Sequence, residues 1–261
     1  AFDLQKYTSP EPLLDSGQAR LAVVEGDATL TMFNYLLGGS VEALPGIEKG
    51  MQDMMRNPAG LAELSAGVPA GQALMDAPAY LRETMLFSYL QGALFAMSVK
   101  RTGGQELLDR AFTQDPPRST EQILHPEKWH TRRDDPVEVR LPDLAADLPG
   151  YRKVSEGQLG ELGVRILLSQ GLAERQRAET AAAGWDGDRF ALYEKDGRRV
   201  LAWVTEWDSE ADAREMRAAL QEPGTGWTVS AAAPESPRRV VAIRGELPAK
   251  QRSAVQGRLA R

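Results

Sequence analysis

Two β-prone runs, Phe190 to Glu194 (FALYE) and Arg199 to Trp207 (RVLAWVTEW), flank the tetrapeptide Lys195-Asp196-Gly197-Arg198. An Asp-Gly step tolerates the positive φ angles of a tight turn, so this stretch predicts an antiparallel hairpin. Ser209 then caps a helix predicted over Glu210 to Leu220, whose acidic residues near the start suit the positive end of the helix dipole. The same order returns downstream: Gly226 to Ala231 and Arg239 to Ile243 read as strands and Pro248 to Leu259 as a helix. Two strand-strand-helix units imply one small antiparallel sheet with covering helices at the C-terminus, an α+β class. Trp203 and Trp207 lie four residues apart on one strand and face the same side, so with Phe190 and Tyr193 they are expected to build the core of that sheet.

The chain before this region has another character. The residues to Gln18 read as an extended lead-in. Leu21, Val24, Ala28, Phe33 and Leu36 recur at near-helical intervals, predicting a buried helix over Ala19 to Leu37 that Gly38-Gly39 stops. Gly26 inside it costs about 1 kcal/mol relative to alanine, which marks the close approach of another backbone. Ile47 to Met55 predicts a second helix ended by Asn57-Pro58, and Pro78 opens a third that runs through Val99 to Gly103-Gly104. Gln105 to Phe112 adds further turns, and Ser119 caps Thr120 to Leu124 with Gln122 in the capping-box position before Pro126. Val137 to Leu141 alternates like a strand, and Glu156 to Ser169 and Leu172 to Ala183 read as helices. The change of character lies between Arg132 and Pro149; drawn at 135/136, it separates a mainly helical portion, 1–135, from an α+β portion, 136–261.

Composition narrows the function classes. The net charge is -6, from 31 basic and 37 acidic residues, which argues against a nucleic-acid partner, because backbone binding needs a concentrated positive face. Without cysteine there is no disulfide, thiolate site or cysteine nucleophile. Met85 to Val99 is the most apolar stretch, too short for a membrane span and interrupted by Gln91 and Gly92, so no transmembrane segment is expected. Ala1-Phe2-Asp3 is neither a start methionine nor a signal segment, and the expectation is that something upstream was removed. The glycine pairs have no phosphate-loop context, and no nucleophile elbow is present.

Val24-Glu25-Gly26-Asp27-Ala28-Thr29 places two carboxylates inside an otherwise apolar helix, where each needs a partner or a metal. Glu25 and Asp27 stand about 200° apart around the axis, so one is expected to face solvent while the other has a role, a buried ion pair or a ligand. Arg118 and Glu121 can pair to fix a loop, or Arg118 can bind a substrate carboxylate with its planar fork. His125 can anchor that loop against Glu121, or join Glu127 and His130 in a local metal site. Glu161 reads as a helix-surface carboxylate or a supporting one, and Trp185-Asp186-Gly187-Asp188 as a tight turn with two acidic residues suited to calcium, without the full loop pattern.

The succession VVEGDAT, LFSYLQGALFAMSVKRTGG, PPRSTEQILHPEKW, AAAGWDGDRFALYE and VTEWDSEADA resembles a family of bacterial proteins related to neutral, gluzincin-like zinc metallopeptidases. The resemblance runs from Phe2 into the helix after Trp207, and PPRSTEQILHP is its most specific stretch. It implies an HExxH helix just upstream of Phe2, with Glu25 as the third zinc ligand, Asp27 supporting it, and His125 stabilising an oxyanion with Arg118 and Glu121 beside it. Two histidines one helical turn apart and a carboxylate from a following helix leave one zinc position for water or substrate, the arrangement for peptide-bond hydrolysis. His125 and His130 are the only histidines and neither belongs to an HExxH, so the motif either comes from an upstream fragment or another chain, or has been lost. The alternative is a non-catalytic protein-binding or assembly module on a degenerate peptidase scaffold. Relatives of this kind are exported or associated with the cell envelope, and the implied partner is a peptide or protein.

Overall fold

Alternation decides the architecture of the C-terminal portion. Along β3 (Arg198–Trp207) Val200, Ala202 and Val204 point to one face while Trp203 and Trp207 point to the other. A computed structural model of the chain describes residues 15–41, 44–56, 69–230 and 233–260. The class is α+β. The chain divides into two compact units, one of helices up to Asp135 and one from Pro136 onward, and each is described by itself.

In the helical unit α1 (Asp15–Leu36), α2 (Ile47–Arg56), α3 (Pro69–Asp76) and α4 (Ala79–Leu86) are followed by a π-helical segment, Phe87–Gln91. The chain continues as α5 (Gly92–Phe112), α6 (Thr120–Leu124) and α7 (Glu127–His130). α1 starts four residues before the expected boundary, so part of the predicted lead-in is helical, because Asp15 is buried and accepts a 2.7 Å bond from the Thr120 amide. The remainder of that lead-in and the Asn57-Pro58 stop lie outside the described residues. α5 breaks at Gly103 and Gly104, whose backbone angles are not helical, in agreement with a glycine stop there. The Ser119 hydroxyl accepts from the Gln122 amide, as a cap should. The Gln122 side chain does not close the box; its carbonyl accepts from the Arg118 amide and its amide donates to the Asp134 carbonyl.

The second unit carries β1 (Arg152–Gly157), α8 (Gly160–Ser169), α9 (Arg175–Ala182), β2 (Trp185–Lys195), β3, α10 (Glu210–Leu220), β4 (Trp227–Ser230), β5 (Arg239–Arg244) and α11 (Ala249–Leu259). Its five strands form one antiparallel sheet in the order β1-β2-β3-β5-β4. Asp196 and Gly197, at φ 51° and 76°, make the predicted hairpin turn. Helices α8, α9 and α10 cover one face around Trp185, Trp203 and Trp207. The other face holds Val200, Val241 and Ile243 under α11 and the segment carrying Val139, Leu144 and Leu148. Tyr193 packs on this second face, away from the tryptophans with which it was grouped, because it is an odd number of residues from Phe190.

Two expectations fail for the same reason. Val137 to Leu141 is irregular, its Val137 amide donating to the Asp186 carbonyl of β2 at 2.7 Å, whereas a strand forms at β1, whose last two residues were expected to begin a helix. Pairing with a partner distant in sequence outweighs local pattern.

Candidate functional site

Glycine contact positions the helix that bears the two acidic residues. A methyl group built on Gly26 would fall inside the Gly92 backbone, and one built on Gly92 would meet the Ala22 carbonyl, so α1 and the start of α5 touch main chain to main chain. This is the close approach that an interior glycine predicts. Gln18 fastens the same pair of elements, its amide donating to the Thr84 carbonyl at 3.1 Å and to the Ser88 hydroxyl at 2.7 Å.

Beside that contact Tyr89 lies within electrostatic reach of the Glu25 carboxylate. The Glu25 charge, then partial desolvation, hold the phenol above its ordinary pKa. Tyr89 belongs to the π-helical segment, a wide-turn irregularity that recurs at functional sites. Two residues on, the Gln91 amide donates to the Ile123 carbonyl at 3.2 Å, tying the segment to α6. Sequence patterning missed Tyr89; its only local signal is a polar group in an apolar run.

The face of α1 that carries Glu25 is open. Leu21, Glu25, Ala28, Met32 and Tyr35 follow one another at intervals of four, three, four and three residues, the spacing of a seam that pairs with another helix. Glu25 is half-buried, but Met32 is 49% and Tyr35 86% exposed, and Tyr80, Leu81 and Met85 on α4 are also exposed. The expectation of a wholly buried helix is corrected here: Leu21, Ala28 and Leu36 face outward, while Ala22, Val23, Gly26 and Leu30 face the core. The face with the small residues permits the closest backbone approach and takes the interior side.

The other expected residues stand elsewhere. Asp27 faces Lys100 of α5 at 3.9 Å, and burial holds its carboxyl above the usual range, with the lysine opposing. It is a part-buried ion-pair member, turned away from Glu25. Arg118 and Glu121 do not pair: Arg118 reaches Asp135 at 2.9 Å, and Glu121, 1% exposed, accepts from Lys128 at 2.7 Å, which also holds Asp134. His125 closes α6, its amide donating to the Glu121 carbonyl at 2.7 Å. His130 places Nδ1 against the Thr131 hydroxyl and buries Nε2 without a hydrogen-bond partner, and desolvation lowers its pKa. Among the described residues no group of three metal-ligating side chains forms from His125, Glu127 and His130, or around Glu25. The donor chemistry at Glu25 therefore amounts to one half-buried carboxylate, and falls short of the three ligands that a catalytic zinc site needs.

In the α+β unit the expected calcium turn is a strand. Asp188, 1% exposed, accepts from the amides of Leu159 and Gly160 and from the indole N–H groups of Trp185 and Trp203, at 2.9–3.1 Å. Burial raises its pKa and the four donors oppose that rise. With its oxygens occupied by protein, this carboxylate pins the start of α8, which also explains why that helix begins later than its sequence suggests. Glu161, expected at a helix surface, is fully buried and pairs with Arg165. Two grooves open nearby: about 390 Å³ between α9 and α10, and about 280 Å³ beside Tyr151, Lys153, Glu156 and Tyr193.

A family model described as a domain of unknown function, DUF8575, matches residues 148–258, which include all five strands. No curated protein and no solved structure matches the chain. No helix among the described residues is long and apolar enough to cross a membrane.

Proposed function

We propose that the helical unit contributes Glu25 as one protein ligand of a catalytic zinc ion whose two histidines come from an HExxH helix supplied by an upstream segment or another chain, and that the assembled site hydrolyses peptide bonds. The observation that carries this reading is the position of Glu25: an accessible carboxylate at the centre of an apolar, exposed seam with helix-pairing spacing. A helix laid on that seam meets one acidic group, and imidazoles presented there complete a three-ligand set. Bound zinc supplies a polarised water and carbonyl. This chain's residues do the holding: Gly26 and Gly92 set the distance between helices, and Glu25 faces the seam. His125 as oxyanion stabiliser, with Arg118 and Glu121 behind it, is part of the same proposal, though each of these residues already has a local structural role.

The absence of any converging histidine among the described residues favours a second reading, a docking module whose seam takes a helix without metal. The natural full-length protein distinguishes the two. One zinc per chain by elemental analysis, lost in Glu25→Gln together with peptide hydrolysis, is the expected result. A protein that purifies without zinc and takes none up, yet still assembles through the seam, would establish the docking module instead.

A further inference from the structure

We propose that the α+β unit binds a free α-amino acid with an apolar side chain in the groove beside Tyr193, the Lys153 ammonium and the Tyr193 hydroxyl holding its carboxylate and Asp143 its ammonium. This site lies within the α+β unit and owes nothing to the metal reading of the helical unit. The groove has a volume of about 280 Å³, and Leu141, Pro142 and Ala145 give it an apolar side. Its size is close to the lower end for small-molecule sites, which combine apolar walls with a few placed polar groups.

A bulge builds the polar side. Lys153 pairs directly with Tyr193 across β1 and β2, and Glu156 pairs with Ala191, the register shifting between Lys153 and Ser155. That extra residue turns Lys153 and Glu156 to the same face as Tyr193, where regular alternation would have opposed them. Glu156 has both oxygens occupied, one by Lys153 and one by Arg189 at 2.9 Å. Two cations share one carboxylate, so one positive charge is left over, and Lys153 keeps two N–H groups to donate. Tyr193 is 7% exposed, yet its hydroxyl makes no hydrogen bond among the described residues and opens into the groove. Burial above all raises the pKa of this phenol; Lys153 opposes the rise and Glu156 and Asp143 add to it, so the hydroxyl stays a donor at neutral pH. Asp143 has one oxygen on the Ala145 amide at 2.9 Å and forms no ion pair among the described residues. A surplus positive charge, an unpaired negative charge and a buried, unused hydroxyl beside an apolar wall are complementary to a zwitterion.

Calorimetric titration of the full-length protein with L-valine, L-leucine, L-methionine and L-phenylalanine tests this. At least one of them should bind. The analogues that lack one charge, 4-methylpentanoate and isopentylamine in the case of leucine, should bind at least about tenfold more weakly, the factor that a hydrogen bond to a charged group contributes. Tyr193→Phe should weaken binding by about the same factor with the melting temperature unchanged, because the hydroxyl has no protein partner to lose. Asp143→Asn should erase the preference for the amino acid over its carboxylate analogue. Binding of none of these amino acids at millimolar concentration overturns the site. Equal binding of the carboxylate analogue by the unsubstituted protein overturns the zwitterion as its ligand, and unchanged affinity in both variants overturns the placement beside Tyr193.

Discussion

In the α+β unit three tryptophans, Trp185, Trp203 and Trp207, are fully buried, and the Asp188 carboxylate beneath them is met by four N–H groups. In the helical unit Met32, Tyr35 and Leu36 stand in solvent, and Glu25 is half-buried near Tyr89. Both regions set an acidic side chain among apolar ones. One is closed around its carboxylate and uses it for architecture, while the other leaves its carboxylate half open along a seam. A part-buried or buried acidic group is thus a poor guide to chemistry when its partners are all protein donors, and a better one when the apolar surface around it is exposed.

Substitutions can break that contrast at either end. Asp188→Ala should have the largest effect: it strands two indole and two backbone donors, each worth about 1–3 kcal/mol when buried unsatisfied, for a total of about 4 kcal/mol or more. Urea unfolding followed by tryptophan fluorescence measures it, since four of the five tryptophans lie in this unit; an unshifted midpoint would show that Asp188 is no anchor. Gly26→Ala comes next, with about 1–3 kcal/mol lost to overpacking against the Gly92 backbone, read from the helical signal on heating.

Smaller effects sharpen the open end. Glu25→Gln removes the charge that raises the Tyr89 pKa, so one phenol should titrate at lower pH in a difference spectrum; an unaltered curve would mean the two groups do not meet. His130 has a depressed folded pKa through desolvation, with Glu127 opposing, so the unfolded chain binds more protons below about pH 6.5. Its stabilising contribution is present above that value and is lost as pH falls towards the folded pKa. His130→Phe should flatten the decline of melting temperature between pH 7.5 and pH 5, both taken as roughly bracketing ordinary histidine titration. Met32→Glu with Tyr35→Glu should alter folding least, within about 0.5 kcal/mol, because both side chains are exposed. The same pair should abolish pairing of the seam with a helix, measured by sedimentation of the full-length assembly.

Local chemistry was legible wherever one short segment decides the outcome. The Asp196-Gly197 turn needs only residues that accept positive φ, the Ser119 and Ser209 caps need only an oxygen one turn before an amide, and the alternation of β3 states its own two faces. Features set by distant partners were not. β1 is a strand because β2 pairs with it, and α8 starts where Asp188, 28 residues beyond Gly160, receives its first amides.

The candidate site divides along the same line. From the sequence alone, Glu25 and Asp27 must point to different sides of one helix, and Gly26 between them must mark a tight approach, because helical geometry and the missing Cβ leave little choice. Only the tertiary structure decided that Asp27 turns to Lys100 while Glu25 stands on the open face, its charge felt by Tyr89. The physical reason is packing: Gly92 accepts only the glycine-bearing side of α1, and that contact sets the rotation of the helix and so the surroundings of each carboxylate.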